Sequence, residues 1–345
     1  MRTLSFSRAH VRAAISRSPF LIVAFVVCAV SMLVAGCERA GEEVVVYTAL
    51  DREFSEPIFA AFTRETGIRV RPVYDTESTK TVGLTNRIRA ERDRPRCDVF
   101  WNNEILNTLL LEREGLLQSC KPKRAEEYDE RWKDDDGKWF GFAARARVLI
   151  VNTDLVPPNE FPDSIEDLAD PRWSGQTGIA KPLFGTTASH VACLFAKLGA
   201  EDARALLERM KANDVRVLAG NKTCAEEVAA GRLAFALTDT DDAIIEIRAK
   251  RPVAIVWPDG APDAMGTPVL PNTLALVEGA PNPEAGVKLI DYLLSPEVET
   301  MLANGPSAQM PLHPETQATP ALPDLEALRP MDVDFDAAAA AFSDA

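Results

Sequence analysis

Histidine is almost missing from this 345-residue chain: there are three, and His10 lies in the N-terminal segment, leaving His190 and His313. No CxxC and no paired Cys/His spacing occurs, which argues against a zinc centre. GxSxG, HExxH and the P-loop pattern are absent as well, so neither a nucleophile elbow, a zinc-peptidase helix nor a phosphate cradle of the NTPase type is present. Tyrosine is missing from the whole stretch between Tyr128 and Tyr292. Positive charge is in deficit, with 38 Lys and Arg against 52 Asp and Glu and a net charge of −14, which excludes nucleic acid as a partner. There is no internal repeat.

The one long apolar run, Phe20 to Val34, follows Arg2, Arg8, Arg12 and Arg17 and precedes Ala35, Gly36 and Cys37. That is the layout of a secretory signal spanning residues 1–36. Val34-Ala35-Gly36-Cys37 resembles a bacterial lipobox, in which Cys37 carries the lipid and becomes the new N-terminus; an uncleaved anchor is the alternative. Either way the chain is exported. Removing 36 residues leaves about 310, enough for two domains of about 150 each, and makes the protein more acidic. Cys28 lies in the apolar run, so Cys97, Cys120, Cys193 and Cys224 remain, an even number that suits an oxidising compartment. The favoured pairing is Cys97 with Cys120 and Cys193 with Cys224, the alternative being buried free thiols.

Strand and helix patterns alternate from Glu43 onward: EVVVY, a helix over Ser55 to Thr66, IRVRPVY, a helix over Lys80 to Arg92, DVFW, and a helix over Glu104 to Glu114. This order predicts a mainly parallel sheet with right-handed crossovers. A second set follows Arg145 to Asn152 (RARVLIVN): a strand near Gly178, helices over Ala188 to Leu198 and Glu201 to Ala212, a strand over Val215 to Leu218, and a helix over Cys224 to Ala230. A strand over Val269 to Val277, broken by Pro271, leads to two late helices.

The most acidic strand end is GRLAFALTDTDDA, where Leu233 to Leu237 delivers Thr238, Asp239, Thr240, Asp241 and Asp242. In a continuing strand Asp239 and Asp241 share one face, and Thr240 and Asp242 the other. Hard oxygen ligands of this kind suit ferric iron, calcium or magnesium, or an ammonium group; a helix cap is the structural alternative. Gly185-Thr186-Thr187 opens a helix, so its free amides and hydroxyls form an anion site or an ordinary N-cap. Asn221, after Gly220, occupies a matching loop. Tyr47, Thr48 and Asp51 follow the first strand, and Glu77, Thr79 and Lys80 follow the second, so both loops lie at one sheet rim. Glu77 is a metal-ligand candidate and Lys80 an anion partner, or the loop is a capping box. Asn102 and Asn103 follow DVFW. Arg145 is an oxyanion clamp or a surface charge.

VVVYTALD, IFAAFTRETGIRV, DVFW with Asn102 and Asn103, RARVLIVN, GTTASHVACL and GAPNPEAGVKLIDYLLSPEVE together resemble the extracellular solute-binding proteins of ABC transporters, in the group that contains ferric-iron-binding proteins. The resemblance covers most of the mature chain. It implies an α/β, type II periplasmic binding protein fold, with two α/β lobes and the ligand in the cleft between them. Lobe 1 is expected over 41–142 plus 266–345 and lobe 2 over 143–265. It further implies a monomer with no catalytic residues and no required cofactor, which closes around ferric iron with a phosphate or carbonate-like anion and delivers it to an inner-membrane permease. In that group a tyrosine pair holds the metal where this chain has Thr238 to Asp242. Iron here must therefore use carboxylates, hydroxyls and Tyr47. Small phosphonates, phosphates or amino-bearing compounds are the alternative ligands, and an exported hydrolase using Glu77 with Asp239 or Asp241 is the alternative of another class.

Overall fold

The computed structural model describes residues 42–75, 81–316 and 328–342. Signal segment, Cys37, Glu77, Thr79 and Lys80 lie outside the described residues. Valine-rich β1 (Glu43–Thr48) lies one strand in from the sheet edge, and α1 (Arg52–Thr66) adds Ile58, Phe59 and Phe62 to the same buried cluster before Gly67 ends the helix in the left-handed conformation. Next come β2 (Arg69–Tyr74), α2 (Val82–Ala90), β3 (Val99–Asn102), α3 (Leu106–Arg113) and the two-residue β4 (Leu117–Gln118). β1 pairs in parallel with β2 and β3, as the alternation predicts.

The chain then runs through β5 (Phe140–Asn152), thirteen buried residues in one strand that begins five residues before the expected Arg145 to Asn152 run. Its first half pairs antiparallel with β10 (Val269–Val277), its second half with β8 (Phe235–Asp239) and β9 (Val253–Val256). Two sheet halves therefore share one strand. Beyond it are β6 (Thr177–Ala180), α4 (Gly185–Leu198), α5 (Ala200–Ala212), β7 (Arg216–Leu218), α6 (Asn221–Ala229) and α7 (Thr240–Arg248). After β10 follow α8 (Pro283–Leu293), α9 (Pro296–Asn304) and α10 (Phe335–Ala341). The strand order β2-β1-β3-β10-β5-β8-β6-β7 places late β10 between early β3 and β5, so the chain returns to its first half. Pro271 does not break β10: the strand is continuous, and the register shifts between Leu270 and Asn272 where proline cannot donate a ladder bond.

The expected disulfides are not formed. Cys97, Cys120, Cys193 and Cys224 are free thiols. Each expected pair straddles two separate packing regions: Cys97 and Cys193 belong to one buried cluster, whereas Cys224 lies in the other and Cys120 packs against it. Burial raises the thiols of Cys120, Cys193 and Cys224 to about 12, which keeps them unreactive in the folded protein. A reductant is therefore expected to leave the melting temperature unchanged, and all four thiols should react with a thiol reagent on unfolding without reductant. Loss of stability on reduction would restore the bridges.

Candidate functional site

Alternation along β5 puts Arg145 and Arg147 on one face. The antiparallel register sets Asp239 directly opposite Arg147, and their side chains meet at 2.6 Å with both fully or nearly fully buried. The Arg147 guanidinium also donates to Asn221 Oδ1 at 3.0 Å, Thr187 Oγ1 at 3.2 Å and Thr186 Oγ1 at 3.3 Å. On the other Asp239 oxygen, Thr186 Oγ1 donates at 2.6 Å and Asn221 Nδ2 at 2.9 Å. One buried ion pair thus joins the first turns of α4 and α6 to the residue from which α7 starts.

These helix starts line a cleft of about 420 Å3. Gly185, Thr186 and Thr187 belong to α4, Asn221, Lys222 and Thr223 to α6, and Asp239, Asp241 and Asp242 to the β8–α7 junction; Arg145 and Lys181 also line it. Phe184 and Gly220 at the N-caps of α4 and α6 carry no group that could cap, and Asp239 does not cap α7, so the positive helix ends face the cleft without a side-chain cap from these positions. Gly185 begins α4 at φ 62°, a left-handed conformation that favours glycine. Asp51, Glu53, Phe54 and Asn103 line the cleft from the first half of the chain. Arg145 is 4% exposed; its Nε makes no hydrogen bond, with Asp241 Oδ2 3.5 Å away. Glu104, wholly buried, accepts from Ser189 Oγ of α4 at 2.8 Å, which ties the two halves beside the cleft.

One oxygen from each of Asp239, Asp241 and Asp242 lies within 4.8 Å of the others, a spacing a metal ion could bridge. The strand-alternation reading of this segment is corrected: β8 stops at Asp239, and Asp241 and Asp242 sit in the first turn of α7, so both reach the cleft.

Of the residues expected at the site, Asp51, Asn103, Arg145, Gly185, Thr186, Thr187, Asn221, Asp239 and Asp241 line the cleft. Four others are not among its lining residues. Tyr47 is wholly buried and donates its hydroxyl to Glu91 at 2.7 Å; burial, then that bond, raise its pKa, so it supplies no phenolate. Thr48 accepts from the Leu50 amide, Asn102 donates to Glu104, and Thr240 accepts from the Ala146 amide. A second correction concerns donors. The hydroxyl hydrogens of Thr186 and Thr187 go to Asp239 and Asn221, and both hydrogens of the Asn221 amide are engaged by Thr186 and Asp239. Those side chains have no donor left for a ligand. Lys181, Lys222, Glu226 and Arg147 are additions; the RAR alternation in β5 was the one signal for Arg147.

The described cleft has no tyrosine, and its design is that of a solute trap: three helix starts facing acidic and amide groups of another half, around a shared strand. Residues 103–337 match the bacterial extracellular solute-binding proteins. The chain belongs to this family. Its fold is the type II periplasmic binding protein fold. Iron-bound HitA from Pseudomonas aeruginosa superposes with a TM-score of 0.79 at 23% identity over 88% of this chain and 97% of that one. AfuA from Actinobacillus pleuropneumoniae, with exogenous fructose-6-phosphate bound, gives 0.76 at 18% identity over 86% and 93%. In sequence the chain is 29% identical over 313 residues to iron uptake protein A1 of Synechocystis sp., covering 84% of this chain and 85% of that protein. Members of the family are non-enzymatic solute-binding components of ABC importers, which sets the hydrolase alternative aside.

Proposed function

We propose that this protein captures ferric iron together with a small oxyanion by closing its two lobes, and hands it to an inner-membrane ABC permease. The observation that carries this is the meeting of cation-binding and anion-binding chemistry in one cleft: the Asp241 and Asp242 carboxylates stand beside Arg145 and the starts of α4 and α6. A relative named for iron uptake supports it. Asp239 is saturated by Arg147, Thr186 and Asn221, so Asp241 and Asp242 supply the metal oxygens, with Glu77, outside the described residues, as the further ligand. The lobes are 41–142 plus 266–345 and 143–265, with β5 and β10 as the crossing strands. Cys37 carries the lipid that holds the exported monomer at a membrane.

Full-length mature protein loaded with ferric citrate or ferric phosphate should retain iron through gel filtration and melt at higher temperature. It should lack a strong visible phenolate-to-iron band, because no tyrosine lines the described cleft. Asp241→Asn with Asp242→Asn should abolish retention while the protein stays folded. Absence of both retention and thermal shift in the unmutated protein would reject iron.

A second reading is favoured by the missing phenols: a small phosphate or phosphonate bearing an amino group, its anion on the helix starts and Arg145, its ammonium on Asp51, Asp241 or Asp242. Stabilisation by 2-aminoethylphosphonate, lost in Asp241→Ala, would establish it in place of iron.

A further inference from the structure

Every hydrogen on the Thr186 and Thr187 hydroxyls and on the Asn221 amide group is donated inside the protein. An oxyanion entering the cleft therefore meets backbone amides, not these side chains. Backbone amides bind an oxyanion well only if the helix starts that carry them converge on it, and three helices from different parts of the chain must be held at fixed positions to do so. One side chain reaches all three. Arg147, wholly buried and absent from the cleft lining, donates to Thr186 and Thr187 in α4, to Asn221 in α6 and to Asp239, from which α7 begins.

We infer that Arg147 is a positioning residue for anion binding: its guanidinium fork aligns the first turns of α4, α6 and α7 so that the backbone amides of these helix starts, with Arg145, converge on one oxyanion it never touches. This rests on the reading that the cleft holds an anion. A planar fork is needed, because a lysine ammonium is a single compact point and cannot span four acceptors on three elements. Pairing with Asp239 also neutralises the hub, so it adds no net charge and leaves attraction to the helix ends and Arg145. Arg145, buried beside these ends with Asp241 Oδ2 3.5 Å from its Nε, is the guanidinium that lines the same cleft.

The test compares unmutated protein, Arg147→Lys and the neutral pair Arg147→Met with Asp239→Asn. Affinities for inorganic phosphate and ferric citrate are measured by calorimetry, stability by urea titration, and amide 15N resonances and relaxation by NMR. In Arg147→Lys the ion pair survives, so the fold should persist. Affinity for the probes should fall tenfold or more, and amide signals of 185–187, 221–223 and 240–242 should shift or broaden while the rest of the spectrum holds. The neutral pair should show the same local signature, which separates alignment from charge. Unchanged affinity with unmoved helix-start amides in Arg147→Lys would overturn the inference. If the unmutated protein binds neither probe, the anion reading fails by itself; the NMR comparison still decides whether Arg147 aligns the helices, and unmoved amides refute it.

Discussion

Asp239→Ala is expected to destabilise the protein by about 3–5 kcal/mol, the usual cost of removing one partner from a buried ion pair. The reason is what it leaves behind. Arg147 is fully buried, and its only carboxylate partner within salt-bridge distance among the described residues is Asp239. Truncation would strand a charged guanidinium and remove the acceptor for Thr186 and Asn221 at the same time. Asp239→Asn keeps the shape and an acceptor oxygen and should cost less. Urea unfolding with an unchanged slope measures both, and a loss under about 1 kcal/mol for the alanine variant would mean that the arginine is hydrated in the folded state.

Acid should destabilise the protein through His190. The ring is 1% exposed, neither nitrogen has a hydrogen-bond partner, and burial, helped by the nearby Arg147 charge, pushes its pKa down from 6.5 to about 3. Above pH about 6.5 the imidazole is neutral in folded and unfolded chains alike, so it contributes no pH dependence. Below that, the unfolded chain takes a proton that the folded one refuses, and stability falls as pH drops from about 6.5 towards about 3. The full span is on the order of 5 kcal/mol at 1.36 kcal/mol per pKa unit. His190→Gln removes the titration, so its stability should decline less than that of the unmutated protein between pH 6.5 and 4. Parallel curves for the two proteins would show that water or a rearranged partner reaches the ring. The carboxylate Glu299 works in the opposite sense: burial raises its pKa, so its own contribution weakens as pH rises past its ordinary range.

Much of the architecture was legible because it depends on local pattern. The apolar runs of β1, β3, β5 and β8, the end of α1 at Thr66 and the late helix pair all appear near their expected positions, since period-two burial and helix stops are written in neighbouring residues. Gly185 to Thr187 was recognisable as a helix opening for the same reason, whereas Asn221, read as part of a loop before a helix over Cys224 to Ala230, is the first residue of α6. The segment from Asp239 to Asp242 stood open between a continuing strand and a helix cap because alternating Asp and Thr satisfies a strand pattern and a helix start equally well; β8 ends at Asp239 and α7 begins at Thr240.

By itself the sequence determined the α/β order, the acidic export-type composition, the family and the absence of a tyrosine pair at the acidic turn, since each is a property of residue type and spacing. Tertiary structure alone decided that Tyr47 is locked to Glu91, that the cysteines stay apart, and that Arg147 ties three helix starts into one cleft. Those outcomes depend on the register of β5 against β8 and on which face of the sheet each side chain meets, contacts between residues tens of positions apart that no local pattern encodes.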